Sequence, residues 1–138
     1  MAIPELSQPS VGAGLCIVSA LFGASAIVIG AAASHGGMGA SSLVEIGLSY
    51  HLPHAAVAWA ASVAAPLAAS RAHGAAVRLR WAALCWLLGI LGFSGGLYLH
   101  AFAGLRVGVV VPLGAFAMIL GWGFAAWAGV ILAREAGR

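Results

Sequence analysis

The sequence predicts an all-α integral membrane protein, a bundle of four transmembrane helices forming one domain over residues 1–138. Three observations predict it. Hydrophobic residues make up 63% of the chain and charged residues only 7%, whereas a water-facing domain carries about 25% charged residues. Mean hydropathy is +1.07. Apolar stretches of the roughly 20 residues needed to cross the hydrocarbon layer recur along the chain, separated by short polar or glycine-rich segments. The lipid bilayer is therefore the solvent for most of the chain, and a conventional soluble enzyme is excluded.

The elements follow in order. Residues 1–10 form a polar tail containing Pro4 and Pro9, with Ser10 suited to cap the first helix. Residues 11–33 carry no charge and form helix 1. The Ala31-Ala32-Ala33 run resembles a signal-peptidase site, but no basic residue precedes the apolar stretch, so an uncleaved span is expected. A glycine-rich connection over 34–42 leads to helix 2, residues 42–69. There Ser42 and Glu45 fit a capping box. Pro53 and Pro66 lie inside this helix, which neighbouring helices can accommodate. A polar loop over 70–80 precedes helix 3 at 81–101. A tight turn at 103–106 precedes helix 4 at 107–133.

The net charge of +3 comes from six arginines against three glutamates, with no lysine. A nucleic-acid binder gathers its basic residues on a polar face. Here they sit between apolar segments, so no nucleic-acid partner is expected. Arg71, Arg78, Arg80, Arg134 and Arg138 fall on one side of a four-span topology and only Arg106 on the other. An arginine excess marks the cytoplasmic face. This predicts a multi-pass membrane protein with both termini cytoplasmic. The absence of lysine and the excess of alanine and glycine point to a GC-rich bacterial genome, and so to the bacterial inner membrane.

Small residues recur at four-residue spacing, the pattern that lets helices approach closely in lipid. Helix 3 has Gly92 and Gly96; helix 4 has Ala117, Gly121, Ala125 and Gly129; helix 2 has Ala56, Ala60, Ala64 and Ala68. Cys16 and Cys85 lie in apolar segments and read as small buried hydrophobes.

The histidines are unevenly placed. His35, His51, His54 and His100 all belong to the non-cytoplasmic half, and only His73 to the other. His51 and His54, three apart, are expected on one helix face. Ionisable residues within a span are functional candidates, and imidazole ligates haem iron, copper and zinc. Two readings stand side by side. In one, the rings make interfacial or backbone hydrogen bonds, one of them to a carbonyl freed by Pro53. In the other, the four form a cofactor, quinone or proton site. No cofactor is expected; haem, copper or a quinone would suit the second reading.

Several motifs form a recognisable series. Gly30-Ala31-Ala32-Ala33-Ser34-His35-Gly36 is followed by Leu48-Ser49-Tyr50-His51-Leu52-Pro53-His54-Ala55. Then come Phe93-Ser94-Gly95-Gly96-Leu97-Tyr98, Pro112-Leu113-Gly114 and Leu120-Gly121-Trp122. In order and spacing these resemble the small YgdD-like membrane-protein family, which includes the eukaryotic transmembrane protein 256. The resemblance implies four transmembrane helices and, for a family of unknown function, little about activity. His35 and His54 fall on histidine positions of that pattern. His51, Pro53, His100 and Ala115 depart from it.

With no phosphate-binding loop, nucleophile elbow or paired carboxylates in the sequence, no catalytic residue is assigned. The leading expectation is a non-catalytic accessory or assembly subunit of a larger membrane complex, respiratory for preference, or a homo-oligomer. The alternatives are a histidine-based redox protein and a small transporter or channel.

Overall fold

The computed structural model of the chain describes residues 9–35 and 41–137. These are all-helical, with four spans long and apolar enough to cross a membrane. Helix α1 covers Pro9–His35, α2 Ser42–Ala69 and α3 His73–Gly89. A π-helical turn, Ile90–Ser94, runs into α4, Gly95–Ala103, and α5 covers Val110–Ala136. α3, the π-turn and α4 form one span of 31 residues. The polar tail before residue 9, residues 36–40 of the glycine-rich connection, and Arg138 lie outside the described residues.

Local chemistry shifts several expected boundaries. α1 starts at Pro9, so Ser10 lies inside the helix and is not its cap. The cap of α2 is Ser41 rather than Ser42: its side chain accepts from the Leu43 amide at 3.3 Å, and its carbonyl accepts from Val44. The expected 70–80 loop contracts to a turn at 70–72, because α3 begins eight residues before the expected start at 81. Arg78 and Arg80 therefore stand on a helix. Arg78 donates to the Gly74 carbonyl at 3.2 Å, and its guanidinium lies 4.6 Å over the Trp127 ring. That pairing lets a cationic side chain sit against the apolar flank of α5. The last connection is longer than the expected 103–106 turn, running over 104–109.

The helices neighbour one another in chain order: α1 packs on α2, α2 on α3, and α3 on α5. Among the described residues α1 and α5 make no approach to each other. The bundle is accordingly open. In the most apolar 18 residues of each span, 50% are buried in the third, 33% in the second and 17% in the first and last. The α2–α3 seam is built from alanines: Ala55, Ala58 and Ala61 on one side, Ala82 and Ala83 on the other, with Trp86 and Ile90 packed among them. In lipid no hydrophobic effect drives helices together, so close approach of small side chains supplies the dispersion and backbone contact that does.

The four-residue stripes do not map onto single faces, because an α-helix turns every 3.6 residues and a strict i+4 row drifts around it. On α2 the inward residues are Ala55, Ala58, Ala61 and Ala65, while Ala56 and Ala60 are exposed. On α5 Gly121 lies against the Trp86 ring, where an added Cβ would sit 2.6 Å from ring atoms, yet Gly129 has nothing within 4 Å. Ala117 and Ala125 are half-buried between those limits.

Where α5 crosses the π-turn, backbone meets backbone. A Cβ on Gly92 would lie 2.9 Å from the Cα of Gly114, and one on Gly114 would overlap the backbone of Phe93. One turn on, a Cβ on Gly96 would lie 2.6 Å from Val111. The widened turn also aims Ser94 at α2, where its hydroxyl donates to the Gly47 carbonyl at 2.9 Å. π-turns are rare and occur mostly as single turns inside α-helices; this one coincides with the closest helix contacts of the span.

Candidate functional site

Residues three apart on a helix differ by about 60° in direction, and on α2 that angle spans a boundary. His51 turns into the bundle and is 4% exposed. His54 turns toward a groove between α2, the π-turn and α5. The two rings were expected on one face; they serve two different places.

The inner place is a polar node between α1, α2 and α4. His51 Nδ1 and the Tyr98 hydroxyl share a hydrogen bond of 3.2 Å. The Tyr98 ring lies against Gly47, which has no side chain to displace it, and Phe22 of α1 meets the His51 ring edge-on at 6.0 Å. The other ring nitrogen, Nε2, has no hydrogen-bond partner among the described residues, and neither has the hydroxyl of Ser19 on α1. Buried polar atoms left in this way are costly, which makes His51 the most unusual of the histidines.

The outer place is the groove, about 370 Å³, walled by Tyr50, Phe93, Trp122 and Met118 with His54 at its side. Tyr50 and Phe93 meet edge-to-face at 4.8 Å, and Tyr50 stacks on His54 at 6.1 Å. His54 Nδ1 lies 2.7 Å from the Tyr50 carbonyl, and its Nε2 lies 3.2 Å from the indole nitrogen of Trp122. A carbonyl only accepts and an indole N–H only donates. These partners assign the tautomer: Nδ1–H donates to Tyr50, and Nε2 accepts from Trp122. The carbonyl used is next to that of Ser49, the one Pro53 deprives of its amide partner. Both ring nitrogens of His54 are thereby engaged, and the ring braces α2 to α5 across the groove.

The remaining sequence candidates lie apart from these. His100 lines a separate cleft with Arg106, and His35 is exposed at the end of α1. No group of three or more metal-ligating side chains forms among the described residues, so the structure does not bring the four histidines together. Sequence reading missed Trp122, Phe93 and Tyr50 as a group. All three stand in motifs quoted for other reasons: Tyr50 in the Leu48 to Ala55 stretch, Phe93 in Phe-Ser-Gly-Gly and Trp122 in Gly-Trp. Nothing in linear spacing pairs His54 with a residue 68 positions away.

Residues 29–115 match the family described as "Protein of unknown function (DUF423)". The chain belongs to this family. The match runs from the end of α1 into the first turns of α5. It includes the inner node of α2 and α4, and the Tyr50, His54 and Phe93 side of the groove. The DUF423 chain is also 36% identical over 109 residues to a "UPF0382 membrane protein" of Haemophilus influenzae, covering 75% of this chain and 82% of that one. No solved structure matches it.

Proposed function

We propose that the protein is a non-catalytic accessory or assembly subunit of a larger membrane complex. A respiratory assembly is the first candidate, in the bacterial inner membrane with both termini on the cytoplasmic side. One observation carries the reading. The middle of the bundle is filled to backbone contact at Gly92–Gly114 and to ring contact at Trp86–Gly121, while the aromatic groove opens on the flank, between helices that an additional helix would bridge. A protein that works by lateral association needs that arrangement: a solid interior and a shaped side. Flat aromatic walls with few polar atoms suit the apolar side chains of a transmembrane helix from another subunit, for which dispersion contact is the main attraction in lipid.

The test is migration on a native gel after gentle detergent extraction from the source membrane, with mass spectrometry of the band. Migration within a larger assembly, lost on Trp122→Ala or Phe93→Ala, is the expected result. Migration as a single chain under the mildest extraction would overturn it, and a pure homo-oligomer would transfer the groove to a second copy.

A second reading, a redox protein holding haem, copper or a quinone, is favoured by the buried, half-satisfied ring of His51. Its test is a reduced-minus-oxidised spectrum with metal and quinone assays on the purified protein. The transporter or channel reading draws no support from the interior, where side chains and backbone occupy the line a substrate would take.

A further inference from the structure

At the end of the bundle opposite the arginine-rich turn, α4 stops and the chain folds back into α5. Gly104 adopts φ +67°, the left-handed conformation that ends helices. Its amide donates to the His100 carbonyl at 3.1 Å, and the Leu105 amide donates to the Leu99 carbonyl at 3.3 Å. This double closure holds the turn against the last coil of α4 and places Arg106 and His100 on the walls of one cleft, about 260 Å³. Leu97, Val107 and Val111 supply its apolar side.

The charges in this cleft are unbalanced. Among the described residues neither Arg106 nor His100 has a hydrogen-bond or ion-pair partner through its side chain. Glu45, the acidic residue described at this end, pairs with neither. Arg78 at the other end behaves differently, being satisfied by the Gly74 carbonyl and the Trp127 ring. A planar guanidinium with five donors matches the oxygens of a phosphate two at a time, and an imidazole beside it adds a sixth donor.

We propose that the Arg106–His100 cleft is a phosphate-binding site at the membrane surface. Its ligand is the phosphodiester of an anionic lipid or a free phosphate. The site stands independently of the accessory-subunit reading. In the lipid case the two basic side chains take the phosphate oxygens, and Leu97, Val107 and Val111 meet the first methylenes of an acyl chain.

Native mass spectrometry of the full chain in detergent tests it, with phosphatidylglycerol, phosphatidylcholine of matched chains, and inorganic phosphate as the probes. The wild-type chain is expected to retain phosphatidylglycerol over phosphatidylcholine. Arg106→Gln should lower that retention roughly tenfold, the scale of a lost charge-assisted hydrogen bond. His100→Gln should lower it less, and Arg71→Gln at the opposite end should leave it unchanged. A phosphate adduct that forms without lipid preference and is lost on Arg106→Gln would assign the site to free phosphate. Equal retention of both lipids with no phosphate adduct would overturn the proposal, as would an equal loss in Arg71→Gln. Arg106→Lys, which keeps the charge and loses the fork, should retain part of the preference and guards against a folding defect in the glutamine variant.

Discussion

The indole N–H of Trp122 donates to Nε2 of His54 across 3.2 Å, joining α5 to α2, two helices that otherwise scarcely meet. The bond does two things at once. It satisfies a histidine at membrane depth, where an unpaired polar atom is expensive, and it sets the width of the groove beneath it. Removing the donor while keeping an aromatic ring isolates the effect. Trp122→Phe should destabilise the protein by about 1 kcal/mol, within the range of single interhelical hydrogen bonds in membranes. Thermal unfolding in detergent measures this. In a cycle with His54→Ala the two changes should be markedly non-additive, and strict additivity would count against the bond.

At the π-turn the expected penalties are steric. Gly92→Val and Gly114→Val drive a branched side chain into facing backbone, which cannot move aside as a side chain can. Each should cost about 3 kcal/mol or more, at or beyond the upper range of overpacking, and abolish the monodisperse peak in size-exclusion chromatography. Gly129→Val, on a face with nothing within 4 Å, should behave as wild type.

Ser94→Ala removes the bond from the π-turn to the Gly47 carbonyl. A loss of about 1 kcal/mol is expected. Gly47→Ala, whose new methyl meets the Tyr98 ring, should cost about 1–3 kcal/mol by overpacking. It should also disturb the His51–Tyr98 contact, a change that the histidine ring signals in NMR would report.

Membrane sidedness is open to direct measurement. In a background of Cys16→Ala and Cys85→Ala, a cysteine at Ser70 and one at Leu105 should react with a membrane-impermeant thiol reagent from opposite sides. Ser70→Cys should react only after the cytoplasmic face is exposed. Labelling of Ser70→Cys in intact cells would invert the proposed topology.

Much of the fold was readable along the chain. Four apolar runs, each about the 20 residues a helical span needs, select helices in lipid, where each helix satisfies its own backbone. The bounds of α2 were readable too, from serines at its start and a polar turn after Ala69. The start of α3 was not. Arg78 and Arg80 look like loop residues in a sequence, but a guanidinium stacked on Trp127 or bonded to a carbonyl one turn back is at ease on a helix. The candidate site was less legible still. Histidine content and depth pointed to His51 and His54, yet whether two rings three residues apart share a pocket depends on where the helix face ends, and only the neighbours decide that.

Sequence alone determined the solvent, the number of spans and the kind of contact that holds them, because composition and run length act locally and admit few alternatives. Tertiary structure decided everything that depends on helix rotation. A rotation of about 60° separates a buried, half-satisfied His51 from a groove-side His54 with both nitrogens engaged. A drift of about 80° over eight residues turns Gly121 onto Trp86 and leaves Gly129 facing outward. A 3.6-residue period fixes angles within one helix; the angle between helices is set only when small residues, a π-turn and the facing side chains meet.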